Sequence, residues 1–209
     1  MKLNFNNIIY IFKDIKNYLI PIKKIKSKFQ KIDTLDQVEA FIQERSAHVT
    51  QTTLYGYIKT RIGSKYAMMF EDKKFSDSIN IAKWNIYMNA LTDCTFFVFS
   101  YLIDKKNLKQ NNAEVIFKTI LKKEKENGLD EKLYEKTKNE FIQKIININW
   151  NTYHQDQPFH NSGKALYDWS PIADELKILD KEIVINSIKL KWNLVEIEFK
   201  ELTKNLYFN

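Results

Sequence analysis

The sequence predicts an all-α protein, an irregular bundle of five to seven helices with a basic amphipathic arm at its N-terminus. Three observations predict this class. The 209 residues include only four glycines and three prolines, so most of the chain lacks the residues that tight turns between strands require. Apolar residues recur at helical spacing along most of the sequence. Hydrophobic residues make up 44% of the composition, which is enough to form a buried core.

Residues 1–32 form the predicted arm, and residues 33–209 form a single helical domain. The apolar residues of the arm follow the i, i+3, i+4, i+7 pattern of an amphipathic helix up to Pro21, which should end or kink it. They are Ile8, Ile11, Phe12, Ile15, Tyr18 and Leu19. The arm holds eight lysines and one acid, and its net charge of +7 equals that of the whole chain, so the rest of the sequence is neutral.

The arm suggests three uses. A basic amphipathic helix is suited to an anionic membrane surface, because its lysines can face the lipid headgroups. The lysines expected to make this contact are Lys13, Lys16, Lys23, Lys24, Lys26 and Lys28. Lysines also neutralise phosphates, so RNA or ribosome binding is a further alternative, although the arm contains no arginine. The third interpretation is that the arm packs on the body and its lysines are only solvated.

The helix after the arm has clear signals at both ends. Thr34 and Gln37 fit a capping box, and Gly63 fits a C-terminal cap, which together predict a helix over about 35–62. Its inward-facing residues should be Val38, Phe41, Ile42, Val49 and Ile58.

The next predicted helix, over about 77–103 with Ser76 as its N-cap, is apolar around most of its circumference. This pattern places it at the centre of the fold. The stretch 84–103 has the length of a membrane span. Two asparagines and Asp93 within it favour a buried core helix instead.

The C-terminal half begins with two charged helices, predicted over about 113–125 and 130–148. An aromatic-rich irregular segment is expected over 149–170, on the surface. Helix starts are predicted at Ser170, followed by Pro171, and again at Asp180. The final helix carries Ile183, Leu190, Leu194 and Ile197 on one face.

Candidate catalytic residues lie in the aromatic-rich segment. His154, Asp156 and His160 are types of side chain that zinc binds, but no fourth ligand is evident, and we assign no metal site. Ser162 lies near His160 but outside any G-x-S-x-G elbow. A small hydrolase or metal-dependent enzyme using residues 154–162 is therefore the alternative function, with no catalytic residue assigned. No glycine-rich phosphate loop is present, and no cofactor is predicted.

A second candidate surface lies around the only two arginines, Arg45 and Arg61, in a chain that otherwise uses lysine. They are expected on different sides of one helix. Gly56 between them could let a ligand or another backbone approach. Alternatively, it admits a neighbouring core helix, and the arginines tie helix ends to carboxylates or carbonyls. The candidate partner or ligand contacts are Arg45, Tyr55, Gly56, Arg61, Trp150 and Trp169.

Parts of the sequence resemble a family of small uncharacterised alphaproteobacterial proteins, some of which carry an automatic esterase label. The similar stretches cover about half the chain: Arg45-Ser46, 51–57, Lys59-Thr60-Arg61, Gly63, 69–72 and 169–177. The resemblance implies a bacterial or bacterial-derived origin. The family has no established activity, so the resemblance implies no catalytic residue.

These observations together favour a non-catalytic interaction protein, such as a scaffold, an assembly factor or an accessory subunit of a larger complex. The arm could hold it at a membrane surface. The single cysteine, Cys94, excludes an intrachain disulfide and suits a reducing compartment, cytoplasmic or matrix-like and peripheral to the inner membrane. A protein partner is therefore the expected ligand, with an anionic membrane or RNA as alternatives.

Overall fold

The computed structural model describes residues 31–206 and confirms an all-α bundle. Between these residues the chain forms seven α-helices, one of them a single turn, and no strand. In chain order they are α1 Leu35–Ile62, α2 Tyr66–Met69, α3 Lys73–Lys106, α4 Asn112–Glu126, α5 Glu131–Ile145, α6 His160–Trp169 and α7 Asp174–Leu202. The predicted contacts of the arm lysines, from Lys13 to Lys28, lie outside the described residues.

Helix α1 has the predicted ends. The Thr34 hydroxyl accepts from the backbone N–H of Gln37 (3.3 Å), and the Gln37 side-chain oxygen accepts from the N–H of Thr34 (3.1 Å), which completes the capping box. Gly63 ends the helix with a φ of +66°, a conformation that favours glycine. All five residues predicted to face inward are buried. Ile32, assigned to the arm, is also buried, and its N–H donates to the carbonyl of Leu202.

Helix α3 is the centre of the fold, but it begins earlier than predicted. The Asp72 carboxylate accepts from the N–H groups of Lys74 (2.8 Å) and Phe75 (3.2 Å), so Asp72 is the N-cap. Ser76 lies inside the first turn, where its hydroxyl donates to the carbonyl of Phe70. Helices α1, α4, α5 and α6 pack on α3. It is long and apolar enough to cross a membrane, yet 83% of its most apolar window is buried inside the protein, as in a core helix.

The charged helices α4 and α5 follow the prediction closely. Asp130 caps α5, accepting from the N–H groups of Lys132 and Leu133, and α5 ends at Ile145, a few residues earlier than expected. Gly128 between the two helices has a φ of +100°, which favours glycine at this turn.

The prediction that residues 149–170 are irregular is wrong for their second half, which forms α6. The buried Asp93 carboxylate on α3 accepts from the N–H of Ser162 (2.7 Å) and the side-chain amide of Asn161 (2.9 Å). It therefore caps α6 from a different helix. Ser170 is the C-cap of α6, and its hydroxyl donates to the carbonyl of Leu166.

The last helix also differs from its predicted start. Helix α7 begins at Asp174 and continues to Leu202 without a break at Asp180. Asp180 is no cap, because its side chain is 2% exposed and accepts hydrogen bonds from Tyr57 and Arg61 of α1. These bonds attach the N-terminal part of α7 to the last turns of α1.

Candidate functional site

Helix α7 carries apolar residues on two opposite faces. The inner face packs into the core and comprises Val184, Ile188, Trp192, Val195 and Phe199, all at most 4% exposed. The outer row, which we call the α7 stripe, comprises Leu176, Leu179, Ile183, Leu190, Leu194 and Ile197. At 100° per residue these six positions fall within a narrow sector of the helix. The prediction that four of them share a face is consistent with this geometry, but their face is turned to solvent.

The α7 stripe is unusually exposed for aliphatic residues. Five of its six side chains are between 61% and 76% exposed, and Leu176 is 40% exposed. Single exposed leucines are common on protein surfaces, whereas a continuous apolar row marks an interaction surface or an aggregation risk. Covering one such side chain completely stabilises a complex by roughly 1.5–3 kcal/mol. The stripe therefore offers a large driving force for association.

Polar residues lie at the middle of the stripe and along one of its flanks. Asn186 and Ser187 interrupt it at its middle. Glu182 and Lys189 lie on one flank, both exposed, and neither makes an ion pair within residues 31–206. The stripe spans 22 residues, so its two end positions lie about 32 Å apart at 1.5 Å per residue. An apolar row with charged residues beside it is typical of a helix-docking surface.

A groove of about 400 Å³ lies beside the stripe, between α6 and α7. Its floor is the Phe159 ring stacked on the Trp192 indole, with centroids 4.2 Å apart. Gly163 faces Ile188, whose Cγ2 lies 3.6 Å from where a Cβ would stand, an ordinary van der Waals distance. The rim is polar and carries His160, Lys164, Asp168, Lys181, Lys189 and Glu196. An apolar floor with a polar rim is typical of ligand pockets.

The two arginines attach α7 to α1. The Arg45 guanidinium donates two hydrogen bonds of 2.6 Å to the Glu198 carboxylate, a bidentate pair. Arg61 pairs with Asp180, to which Tyr57 also donates (2.9 Å). Although 16 residues separate the arginines, both reach the same helix, since each long side chain extends from its own flank of α1. The arginines therefore tie two helices together through carboxylates. Of the two interpretations drawn from the sequence, this agrees with the structural one and not with contact to a ligand.

The other candidate contacts have mixed surroundings. Gly56 is exposed, and a Cβ there would meet nothing within 4 Å, so no backbone or helix among the described residues approaches it. Tyr55 is half-buried against Phe70, and burial raises the pKa of its hydroxyl well above 10. Trp150 is buried, with its ring edge on Phe96. Trp169 is 41% exposed and is the only one of these two tryptophans available to a partner.

The four residues considered for catalysis do not meet at one site, although Asp156 and His160 line the same open surface pocket. His154 is buried, whereas Asp156 and His160 are exposed. Among the described residues, no group of three histidine, cysteine or carboxylate side chains could hold a metal ion. Ser162 is fully buried, where its hydroxyl donates to the carbonyl of Phe159 (3.0 Å) and accepts from the Trp192 indole (2.9 Å). A substrate has no access to that hydroxyl.

A serine, a histidine and an aspartate do meet elsewhere, at His154. Its Nδ1 lies 3.0 Å from the Ser100 hydroxyl, and its Nε2 lies 3.6 Å from the Asp104 carboxylate. Ser100, however, is fully buried and donates to the carbonyl of Trp150 (2.7 Å). Burial also lowers the pKa of His154. The group fixes the turn at Tyr153–Gln155 to the central helix and resembles a catalytic triad only in its residue types.

Cys94 is buried. Burial raises the pKa of its thiol to about 12, which keeps the thiol protonated and unreactive near neutral pH.

Comparisons with protein-family models, with curated proteins and with solved structures found no match for this chain. Its class therefore follows from its own residues: an all-α bundle whose last helix carries an apolar row that no other part of residues 31–206 covers. The sequence contained a signal for that row, because Leu176, Ile183, Leu190 and Ile197 are seven residues apart. A seven-residue apolar repeat is typical of a helix that pairs with another helix.

Proposed function

We propose that this protein is a non-catalytic helical interaction protein, acting as a scaffold, an assembly factor or an accessory subunit, and that the α7 stripe is its protein-binding surface. The observation that carries the proposal is the exposure of five aliphatic side chains by more than 60% along one face of one helix. Apolar anchors at i, i+3, i+4 and i+7 positions are the usual recognition mode between helices.

The way α7 is held supports this proposal. Its inner face is fixed in the core through Trp192 and Phe199, and two of its carboxylates, Asp180 and Glu198, are bound by arginines of α1. A helix that is already ordered loses little conformational entropy when it binds a partner. The stripe is therefore presented on a rigid support, as an interaction surface requires.

The surroundings of the nucleophilic side chains support a role without catalysis. Ser100 and Ser162 are fully buried and hydrogen-bonded to backbone carbonyls, and the Cys94 thiol is buried and protonated. A nucleophile must reach its substrate and be activated by a nearby base. These three side chains lack that access.

The proposal is tested by placing a charge on the stripe. Leu190→Lys should remove the protein from its native complex, because a lysine at the centre of an apolar interface is not solvated there. Ile178→Lys is the matched control, since Ile178 is equally exposed (69%) but lies about 120° around α7 from Leu190. Fractionation of native cell extracts by size would compare the two variants with the wild-type chain.

We expect the wild-type chain and Ile178→Lys to fractionate together above the monomer size, and Leu190→Lys to fractionate as the 25.0 kDa monomer. Equal behaviour of all three chains would contradict the proposal. Circular dichroism of both variants would establish that each remains folded.

A further inference from the structure

We propose that the partner of the α7 stripe is a second copy of this chain, bound antiparallel across a twofold axis that passes between Asn186 and Ser187. This inference rests on the proposed function and names the partner. It is argued from the positions of the six stripe residues, from the charges beside them and from the area that they cover.

The stripe is symmetric about its own midpoint. Ile183 and Leu190 lie equally far from the point between Asn186 and Ser187, at about 5 Å on either side along the helix. Leu179 and Leu194 lie at about 11 Å on either side, and Leu176 and Ile197 at about 16 Å. In an antiparallel dimer, each aliphatic residue of one stripe therefore lies at the same height along the helix axis as an aliphatic residue of the other stripe. A twofold contact must be self-complementary in this way.

The charges beside the middle of the stripe favour the antiparallel arrangement, although near the ends Glu175 of one copy lies at about the height of Glu196 of the other, which is a like-charge contact. Glu182 and Lys189 lie on the same flank of α7, and a twofold axis across the helices brings Glu182 of one copy within about 3 Å in height of Lys189 of the other. This opposite-charge pair occurs twice in the dimer. A parallel pair would instead bring Lys189 of one copy beside Lys191 of the other, which is a like-charge contact.

The area of the stripe approaches that of a standard dimer interface. Each aliphatic side chain that becomes buried removes roughly 60–120 Å² of apolar surface from water. Six such side chains give about 400–700 Å² for each copy, and the polar flanks add to this, which approaches the ~800 Å² per partner of a standard interface. The polar pair Asn186 and Ser187 at the axis would fix the register, as single polar residues do in coiled coils.

Cysteine cross-linking tests both the partner and the direction. Asn186→Cys places a thiol beside the proposed axis, so the oxidised full-length variant should form a disulfide-linked dimer. Ile197→Cys is the matched control, since its two copies lie about 32 Å apart in the antiparallel dimer and cannot bond to each other. A mixture of Leu176→Cys and Ile197→Cys should cross-link. Cross-linking of Ile197→Cys with itself would overturn the antiparallel proposal.

Sedimentation of the full-length chain at micromolar concentration tests the dimer itself. Leu190→Lys should raise the dissociation constant at least about tenfold, and Ile178→Lys should leave it unchanged. Glu182→Lys should also weaken the dimer, and adding Lys189→Glu to it should restore the affinity, because the swapped charges attract again.

Three outcomes would overturn the inference. A dimer that Leu190→Lys does not weaken would use another surface. A wild-type monomer whose native complex is still lost in Leu190→Lys would leave the proposed function standing with a different partner. A monomer that dimerises only when Phe12→Glu and Ile15→Glu are introduced would show that the chain's own arm occupies the stripe.

Discussion

At the scale of single residues, the core is held together partly by buried polar groups that periodicity does not identify. Glu124 of α4 is fully buried and accepts from the hydroxyl of Tyr87 (2.9 Å), from the amide of Gln43 and from that of Asn127 (3.3 Å). Lys83 is buried nearby, and burial lowers its pKa to about 8. This cluster links α1, α3 and α4, because its members come from all three helices. Leaving the buried carboxylate of Glu124 unpaired would cost several kcal/mol.

The four glycines have different roles, and a pair of alanine substitutions separates two of them. Gly56→Ala should raise the free energy of unfolding by about 0.5–1 kcal/mol, because the site is helical, exposed and open around the new Cβ. Gly63→Ala should lower it by about 1 kcal/mol, because φ is +66° there. Urea denaturation of both variants measures these changes. A destabilising Gly56→Ala would indicate that an unseen contact needs this glycine.

At the scale of elements, local signals predicted some helix ends correctly and missed others, such as the starts predicted at Ser76 and Asp180. The capping box at Thr34, the glycine at the end of α1 and the apolar circumference of α3 all act within one helix, and the structure confirms each. The prediction for α6 failed because its cap, Asp93, is 69 residues away from Ser162 and becomes a neighbour only after folding. The outer face of α7 was identified as a face, but periodicity cannot tell which of two apolar faces packs inward.

The role of Asp93 as a distant cap predicts a pH dependence of stability. Burial raises its pKa to about 6 from the ordinary 3.8, against the hydrogen bonds from Asn161 and Ser162, which lower it. Between these two values the folded protein holds a proton that the unfolded chain has released, so this group makes the free energy of unfolding fall as pH rises. The fall amounts to about 3 kcal/mol at most.

Asp93→Asn removes this titration and keeps the shape of the side chain. The difference in unfolding free energy, wild type minus variant, should decrease between about pH 4 and pH 7. Buried His154, whose pKa is lowered, contributes with the opposite sign and loses stability as pH falls, but it is present in both proteins and cancels in the difference. Urea denaturation of both proteins at several pH values measures this difference in unfolding free energy. A difference that stays constant or increases would mean that the hydrogen bonds outweigh burial.

At the scale of the whole molecule, the charge is divided unevenly between the arm and the body. The net charge of the arm equals that of the whole chain, so any attraction to an anionic surface would depend on residues 1–32. The described body carries the α7 stripe, the apolar surface that we propose binds a partner. These two parts of the protein would therefore act separately, the arm on location and the stripe on assembly.

This separation predicts that binding to anionic vesicles depends on the arm lysines alone. The full-length wild-type chain should sediment with phosphatidylserine vesicles and not with neutral ones, and added salt should release it, because each lysine near the surface contributes about 1 kcal/mol. Replacing Lys23, Lys24, Lys26 and Lys28 by glutamate should abolish binding. A control with the same change of charge on the exposed body lysines Lys118, Lys132, Lys136 and Lys164 should retain it. Equal loss of binding in both variants would show that net charge matters and the arm does not. Binding of the wild-type chain to RNA but not to the anionic vesicles would assign the arm to nucleic acid.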